Sequence, residues 1–192
     1  MKSGFQHFME KGTLASLALS VIFLVCWLVW GQGIFLTLLI TFATFFYHFA
    51  VRLAVGAAVD GITAHGVDYD AAWFRQGRAE AKLYKLLKVH SWKVKLPTYV
   101  PGSFSLKENT PEQVVCNMCG AEIVHEVNVV VSFVPVVLSV IVPVLRSTVL
   151  VFVLTSVAAA VFDMLFVIIQ RYNRPRMLKL MRRRQNKYTG KG

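Results

Sequence analysis

A histidine within one helical turn of two carboxylates, placed where a polar segment enters a long apolar run, is the pattern in this chain most able to do chemistry. The residues are Cys119-Gly120-Ala121-Glu122-Ile123-Val124-His125-Glu126. Successive residues of an α-helix turn by about 100°, so Cys119, Glu122, His125, Glu126 and Val129 share one stripe. Ionisable groups at the mouth of a membrane segment are costly to place there, which makes a functional site the default expectation. A carboxylate at Glu122 that orients the His125 imidazole would make a general base for a hydroxyl or an amine. The competing reading is a helix entry whose acids face interfacial water. His48 and Arg52 repeat the spacing on an earlier apolar run. Arg52 could hold a phosphate, a carboxylate or Glu122 itself, because a guanidinium at that depth wants an anionic partner. Otherwise Arg52 snorkels to headgroups and His48 hydrogen-bonds a neighbouring helix. Glu122, His125, His48 and Arg52 are the candidate catalytic set, with Glu126 beside them as a candidate substrate contact.

The elements that must position these residues are membrane helices. The chain has 192 residues, 56% of them hydrophobic, and the apolar residues fall in four long runs at about 14–30, 34–55, 122–145 and 148–169. Each is near the ~20 residues that a helix needs to cross a hydrocarbon core. Strong β-branching in the later runs does not make a barrel, which needs at least about eight alternating segments of ~10 residues. The expected fold is all-α: a single polytopic membrane domain of four transmembrane helices, paired as two hairpins across the short turns Gly31-Gln32-Gly33 and Arg146-Ser147, with a cytoplasmic amphipathic helix between the hairpins. Pro135 and Pro143 should kink the third helix or mark packed, locally unsatisfied backbone.

Charge sets the expected orientation. The net charge is +11, carried by the amino end, by eight Lys/Arg in the interfacial segment 60–112 and by nine in a basic tail, 171–192, that has no acid. The positive-inside rule places all three stretches, and so both termini, in the cytoplasm of a multi-pass cell-membrane protein. The same charge would draw the chain to anionic phospholipid. Nucleic acid is not expected as a partner, because no aromatic-interleaved or motif-bearing basic surface is visible. The first apolar run is longer than the ~7–15 residues of a signal-peptide core and lacks a clear cleavage site, so it should stay as a helix. Three cysteines give no disulfide framework, and Cys116 and Cys119 with His125 fall short of a closed zinc site, so no metal is expected.

In the interfacial segment, Leu83, Leu86, Leu87 and earlier Trp73 and Phe74 give 71–89 an apolar stripe, with Arg75, Arg78, Lys82, Lys85 and Lys88 pointing elsewhere. After it come His90, Trp92 and Lys93 in Val89-His90-Ser91-Trp92-Lys93-Val94-Lys95-Leu96-Pro97. Thr110-Pro111-Glu112 reads as a helix start. His65-Gly66-Val67-Asp68-Tyr69-Asp70 has the His-x-x-x-x-Asp spacing of soluble-faced glycerolipid acyltransferases, but no glycine-rich partner motif follows, and it reads as a surface loop.

The ordered run Trp73-Phe74, Gly77-Arg78, Lys82-Leu83-Tyr84, Leu87, Val89, Trp92-Lys93, Leu96-Pro97 and Cys119-x-Ala121-Glu122-x-x-His125 resembles the glycosyl-4,4′-diaponeurosporenoate acyltransferase family of bacterial membrane proteins. His48-Phe49-x-x-Arg52 and Arg171-Tyr172-Asn173-Arg174-Pro175-Arg176 are similar to stretches of its broader members. Asn117 stands where the family commonly has an acid, and Glu126 where it has an aromatic. The resemblance implies transfer of a fatty acyl group to a hydroxyl of a membrane-bound lipid, in the named enzyme the sugar of a glycosylated carotenoid. It implies acyl-CoA as co-substrate and no other cofactor. The residues that the resemblance carries over are Trp92, Lys93, Pro97, Glu122 and His125. The candidate substrate contacts are His90, Trp92, Lys93, Glu126, Asn173 and Arg174, with Lys93, Lys95 and the basic helix drawing in the donor's phosphates and Trp92 stacking on a sugar or anchoring at the headgroups. Transfer to a lipoprotein amine or a phospholipid is the enzymatic alternative. The non-enzymatic one is a transport subunit or assembly factor, for which Asp163, the sole acid in the middle of a span, leaves a packing or subunit contact open. The oligomeric state stays open.

Overall fold

Hydrogen-bond accounting dictates the architecture. A backbone in hydrocarbon must satisfy its own polar groups, and helices do so within one segment. The computed structural model describes residues 3–64 and 66–189, with side chains as far as Asn186. Its regular structure among these residues is helical throughout: α1 (Gly4–Trp30), α2 (Gly33–Thr63), α3 (Arg78–Leu86), α4 (Val89–Trp92), α5 (Pro111–Val131), α6 (Val134–Ile141) and α7 (Val149–Thr189), joined by short 3₁₀ turns. Four stretches, Gly4–Trp30, Gly33–Thr63, Pro111–Ile141 and Pro143–Asn186, are long and apolar enough to cross a membrane. The chain is a multi-pass membrane protein. It divides into two units, one made of the chain up to Ala57 with Val127–Val161, the other of Ala58–Glu126 with the chain from Phe162 onward.

In the first unit, several hydroxyls of α1 and α2 are satisfied within their own helix. Ser16 donates to the Gly12 carbonyl at 2.6 Å, Ser20 to Ser16 at 2.7 Å and Thr44 to Ile40 at 2.7 Å, the back-bonding by which a helix absorbs Ser and Thr without water. Helices α1 and α2 meet through aromatic pairs, Phe23 stacked on Phe42 at 5.5 Å and Phe8 edge-on to Phe49 at 5.9 Å. Between them Gly31 takes a left-handed conformation, φ 64°, and its N–H closes on the Trp27 carbonyl at 2.8 Å. Only glycine adopts that conformation without a Cβ penalty.

Pro135 does what its chemistry requires. A proline ring clashes with the carbonyl four residues before it and offers no N–H in return. Accordingly α5 stops at Val131, α6 restarts at Val134 with Pro135 in its first turn, and the freed Val131 carbonyl accepts the Tyr47 hydroxyl at 2.6 Å.

Two expected boundaries shift. The amphipathic helix over 71–89 is broken into a 3₁₀ turn at Ala72–Phe74, α3 and α4, because Arg75 is extended and Gly77 serves as an N-cap whose N–H donates to Glu80 at 3.0 Å. The last apolar helix does not end near 169. It runs on as α7 through the basic residues, with Pro175 inside it. Helix α5 begins as expected: the Thr110 hydroxyl accepts the Gln113 N–H at 3.2 Å, and the Gln113 side chain accepts the Thr110 N–H at 2.8 Å. In the 65–70 motif His65 lies outside the described residues, while Asp68 accepts the Asp70 N–H at 3.1 Å in a local turn.

Replacing Gly31 with alanine should lower the stability of the purified protein by about 1 kcal/mol through the left-handed backbone alone, read as a lower denaturation midpoint in detergent.

Candidate functional site

The second unit gathers most of the candidate residues, through the register of α5 against α7. Glu122 is completely buried (0% exposed) and Arg174 nearly so (1%). A carboxylate removed from water needs cations and donors on its oxygens, and both oxygens are taken. Oε2 accepts from Arg174 Nη1 and Oε1 from Arg171 Nη1, the latter at 2.9 Å. Arg174 also donates to the Phe74 carbonyl at 2.5 Å, approaches Cys119 Sγ at 3.7 Å and lies 5.0 Å from the Phe74 ring centre. Arg171 donates through Nε to Glu80 at 2.5 Å and lies 3.7 Å from Glu126. Burial works to raise the Glu80 pKa. Hydrogen bonds from the Tyr84 hydroxyl, Arg171 and the Gly77 N–H outweigh it and hold the carboxyl below its ordinary value.

The expected pairing of Glu122 with His125 does not form, since both Glu122 oxygens are engaged by the arginines of α7. His125 turns to Asp163, whose Oδ1 lies 2.9 Å from the imidazole Nδ1. The Asp163 side chain is 2% exposed and that of His125 23%. Phe166, one turn beyond Asp163, stacks on the imidazole at 4.6 Å and an interplanar angle of 11°, and Phe162 braces Phe166 edge-on at 5.1 Å. An Nδ1–H donated to that carboxylate would leave the lone pair on Nε2, the arrangement that an oriented general base requires. Asp163 is the residue that the chemical reading of the sequence missed. The signal was present, because an isolated acid in an apolar helix demands a polar partner, but periodicity alone does not say which neighbouring helix supplies it.

The remaining candidates separate. Glu126 accepts the Trp73 indole N–H at 2.8 Å. Lys93 donates to Asn173 at 2.6 Å, and its pKa is lowered by burial and then by the nearby Arg176. Trp92 gives its indole N–H to the Leu87 carbonyl at 2.9 Å, closing the turn from α3 into α4, and His90 is exposed beside it. His48 and Arg52 belong to the first unit. There Arg52 donates to the His48 carbonyl at 2.7 Å, to the Ser132 hydroxyl at 3.3 Å and to the Ala159 carbonyl at 3.4 Å. Among the described residues no cluster of His, Cys, Asp or Glu could hold a metal ion.

A family model described as glycosyl-4,4′-diaponeurosporenoate acyltransferase matches residues 70–183, more than half of the chain. The matched stretch holds Phe74, Glu80, Glu122, His125, Asp163, Arg171 and Arg174. No curated protein and no solved structure matches.

The geometry makes Arg174 and Glu122 structural first. Arg174→Ala leaves a buried carboxylate short of a partner and should destabilise the protein by about 3–5 kcal/mol, read as loss of the folded species in thermal or denaturant melts. Glu122→Gln should destabilise in the same direction.

Proposed function

The chain belongs to the glycosyl-4,4′-diaponeurosporenoate acyltransferase family, and on that basis we propose that it transfers a fatty acyl group from acyl-CoA to a hydroxyl of a membrane-bound lipid, with His125 as general base and Asp163 as the carboxylate that orients it. The acceptor class proposed is a glycosylated isoprenoid lipid. The observation that carries the mechanism is the His125–Asp163 contact, a half-buried imidazole backed by a fully buried acid.

The chemistry balances as a single addition and elimination. His125 Nε2 takes the proton of the acceptor hydroxyl as its oxygen attacks the thioester carbonyl, and a carbon–oxygen bond forms. The carbon–sulfur bond then breaks, and the proton returns from the imidazolium to the departing thiolate, giving an ester and free CoA. Asp163 stays ionised throughout, stabilising the imidazolium and holding the ring. Phe166 on the face of the imidazole limits its rotation. Glu122 acts at one remove, by fixing α7 and therefore Asp163. A membrane span carrying the base places it where a lipid hydroxyl arrives without leaving the bilayer.

We also infer that the four apolar helices form two hairpins with both termini, the α3–α4 segment and the basic end of α7 on the cytoplasmic side. That orientation follows the distribution of Lys and Arg and brings the donor from the compartment that contains CoA.

The test is thiol release from long-chain acyl-CoA by the purified protein, supplied with its own membrane-lipid extract. Release should depend on the extract and should fall by about 10²–10⁴-fold in His125→Ala and in Asp163→Asn, with both variants folded. Absence of release, or release indifferent to both substitutions, overturns the reading.

A further inference from the structure

Positive charge is concentrated in the second unit around Tyr172, on α7, without acids to balance it. Lys93 Nζ lies 5.0 Å from the centre of the Tyr172 ring and Arg176 Cζ lies 4.6 Å from it, while Arg176 donates to the Tyr172 hydroxyl oxygen at 2.9 Å. Tyr172 also lines a cavity of about 380 Å³ with Tyr84, Lys85, Lys88, His90 and Ser91. Among the described residues, no carboxylate lies within ion-pair distance of Lys85, Lys88, Lys93 or Arg176. The nearby acid, Glu80, accepts from the Tyr84 hydroxyl and from Arg171 and is thereby compensated. Cations held by a ring, a phenol oxygen and an amide are not neutralised by a carboxylate and can still meet an incoming anion.

Lys88 adds a second, independent observation. It is the one non-glycine residue with positive φ among those described, at 49° with ψ 40°, and it joins α3 to α4. Glycine would take that conformation freely, whereas a lysine there is strained. Strain retained at a cavity wall points to a role for the side chain rather than for the turn.

We propose that this cavity is a phosphate-binding subsite whose occupant is the phosphorylated nucleotide end of the acyl thioester, an assignment that rests on the acyl transfer proposed above. The size falls within the range of small-molecule sites, about 300–1,000 Å³. Two lysines at the opening, with Lys93 and Arg176 beside the Tyr172 ring, suit a ligand bearing several phosphates, as CoA does, better than a phospholipid headgroup bearing one. Lys85 and Lys88 line the cavity itself, and Lys93 and Arg176 extend the positive field along Tyr172.

The experiment measures binding without turnover. CoA, carrying no acyl group, is titrated calorimetrically into the full chain in neutral detergent, for wild type, for the double variant Lys85→Gln with Lys88→Gln, and for Lys88→Gly. The double variant should bind CoA about tenfold or more weakly. Lys88→Gly should also bind more weakly while its melting temperature holds or rises, an outcome that a purely structural role for Lys88 would not give. Equal CoA affinity in wild type and double variant overturns the subsite. A second arm repeats the titration in nanodiscs of phosphatidylcholine and of phosphatidylglycerol. Matching affinities support the nucleotide, whereas loss of CoA binding in phosphatidylglycerol assigns the cavity to lipid headgroups and overturns the proposal. Acyl transfer with unchanged KM for acyl-CoA in the double variant sinks the subsite and leaves the reaction standing. Weakened CoA binding in a protein that transfers no acyl group does the reverse.

Discussion

The second unit is organised around one uncompromising requirement, a carboxylate sealed away from water. Glu122 has no exposed surface and sits between two guanidinium groups of α7. Removing such a charge from water is so costly that its partners must be held in good geometry before the helices can close. Each partner then binds something further: Arg174 reaches the Phe74 carbonyl, and Arg171 reaches Glu80 on α3 and the Arg75 carbonyl. One buried acid thus ties the 3₁₀ turn at Ala72–Phe74 and helices α3, α5 and α7 into one unit. The stability of that unit depends on ion pairing as well as on apolar area. In a membrane protein this is physically reasonable, because lipid tails supply little hydrophobic drive for helix to pack on helix.

The contrast with the first unit is one of means. There the polar residues of α1 and α2 are mostly hydroxyls returned to their own helix, and the helices meet through aromatic rings. Such packing keeps a span stable without placing charge in hydrocarbon. In the second unit the ion pairs of Glu80, Glu122 and Glu126 meet Arg171 and Arg174, where α7 becomes rich in Arg and Lys.

Much of this was legible from residue order. The four apolar runs appear as four stretches long enough to span a membrane. The proline at the start of α5 sits in a reciprocal Thr110–Gln113 cap, and Pro135 ends one helix and begins the next. Those features depend on local chemistry. What was not legible depends on which helix faces which. The stripe Cys119, Glu122, His125 identified a face of α5 correctly as polar, but a helical period cannot say that Arg171 and Arg174 would claim Glu122. Nor could composition show that the basic residues after 170 continue an apolar helix, because a run of Arg and Lys looks the same in a tail and in a helix that returns its arginines to a buried acid.

The exchange of partners changes the chemistry that the site can do. A Glu122–His125 pair on one helix would join two groups on the same flexible stripe, with the carboxylate also answerable to any nearby cation. The observed arrangement divides the labour. Glu122, neutralised by two arginines, is a poor orienting group for an imidazole, since its negative charge is already spent. Asp163 comes from another helix, is almost fully buried, and meets Nδ1 at 2.9 Å, so it fixes the ring from the side opposite Nε2. Phe166, one turn further along α7, stacks on the ring face. The imidazole is carried by α5 and oriented by α7, and its alignment therefore depends on the distance between those helices, which the Glu122–Arg174 pair helps to set. A buried carboxylate and an imidazole lie within one turn of each other on α5, yet their surroundings differ because α7 presents arginine to one and aspartate to the other.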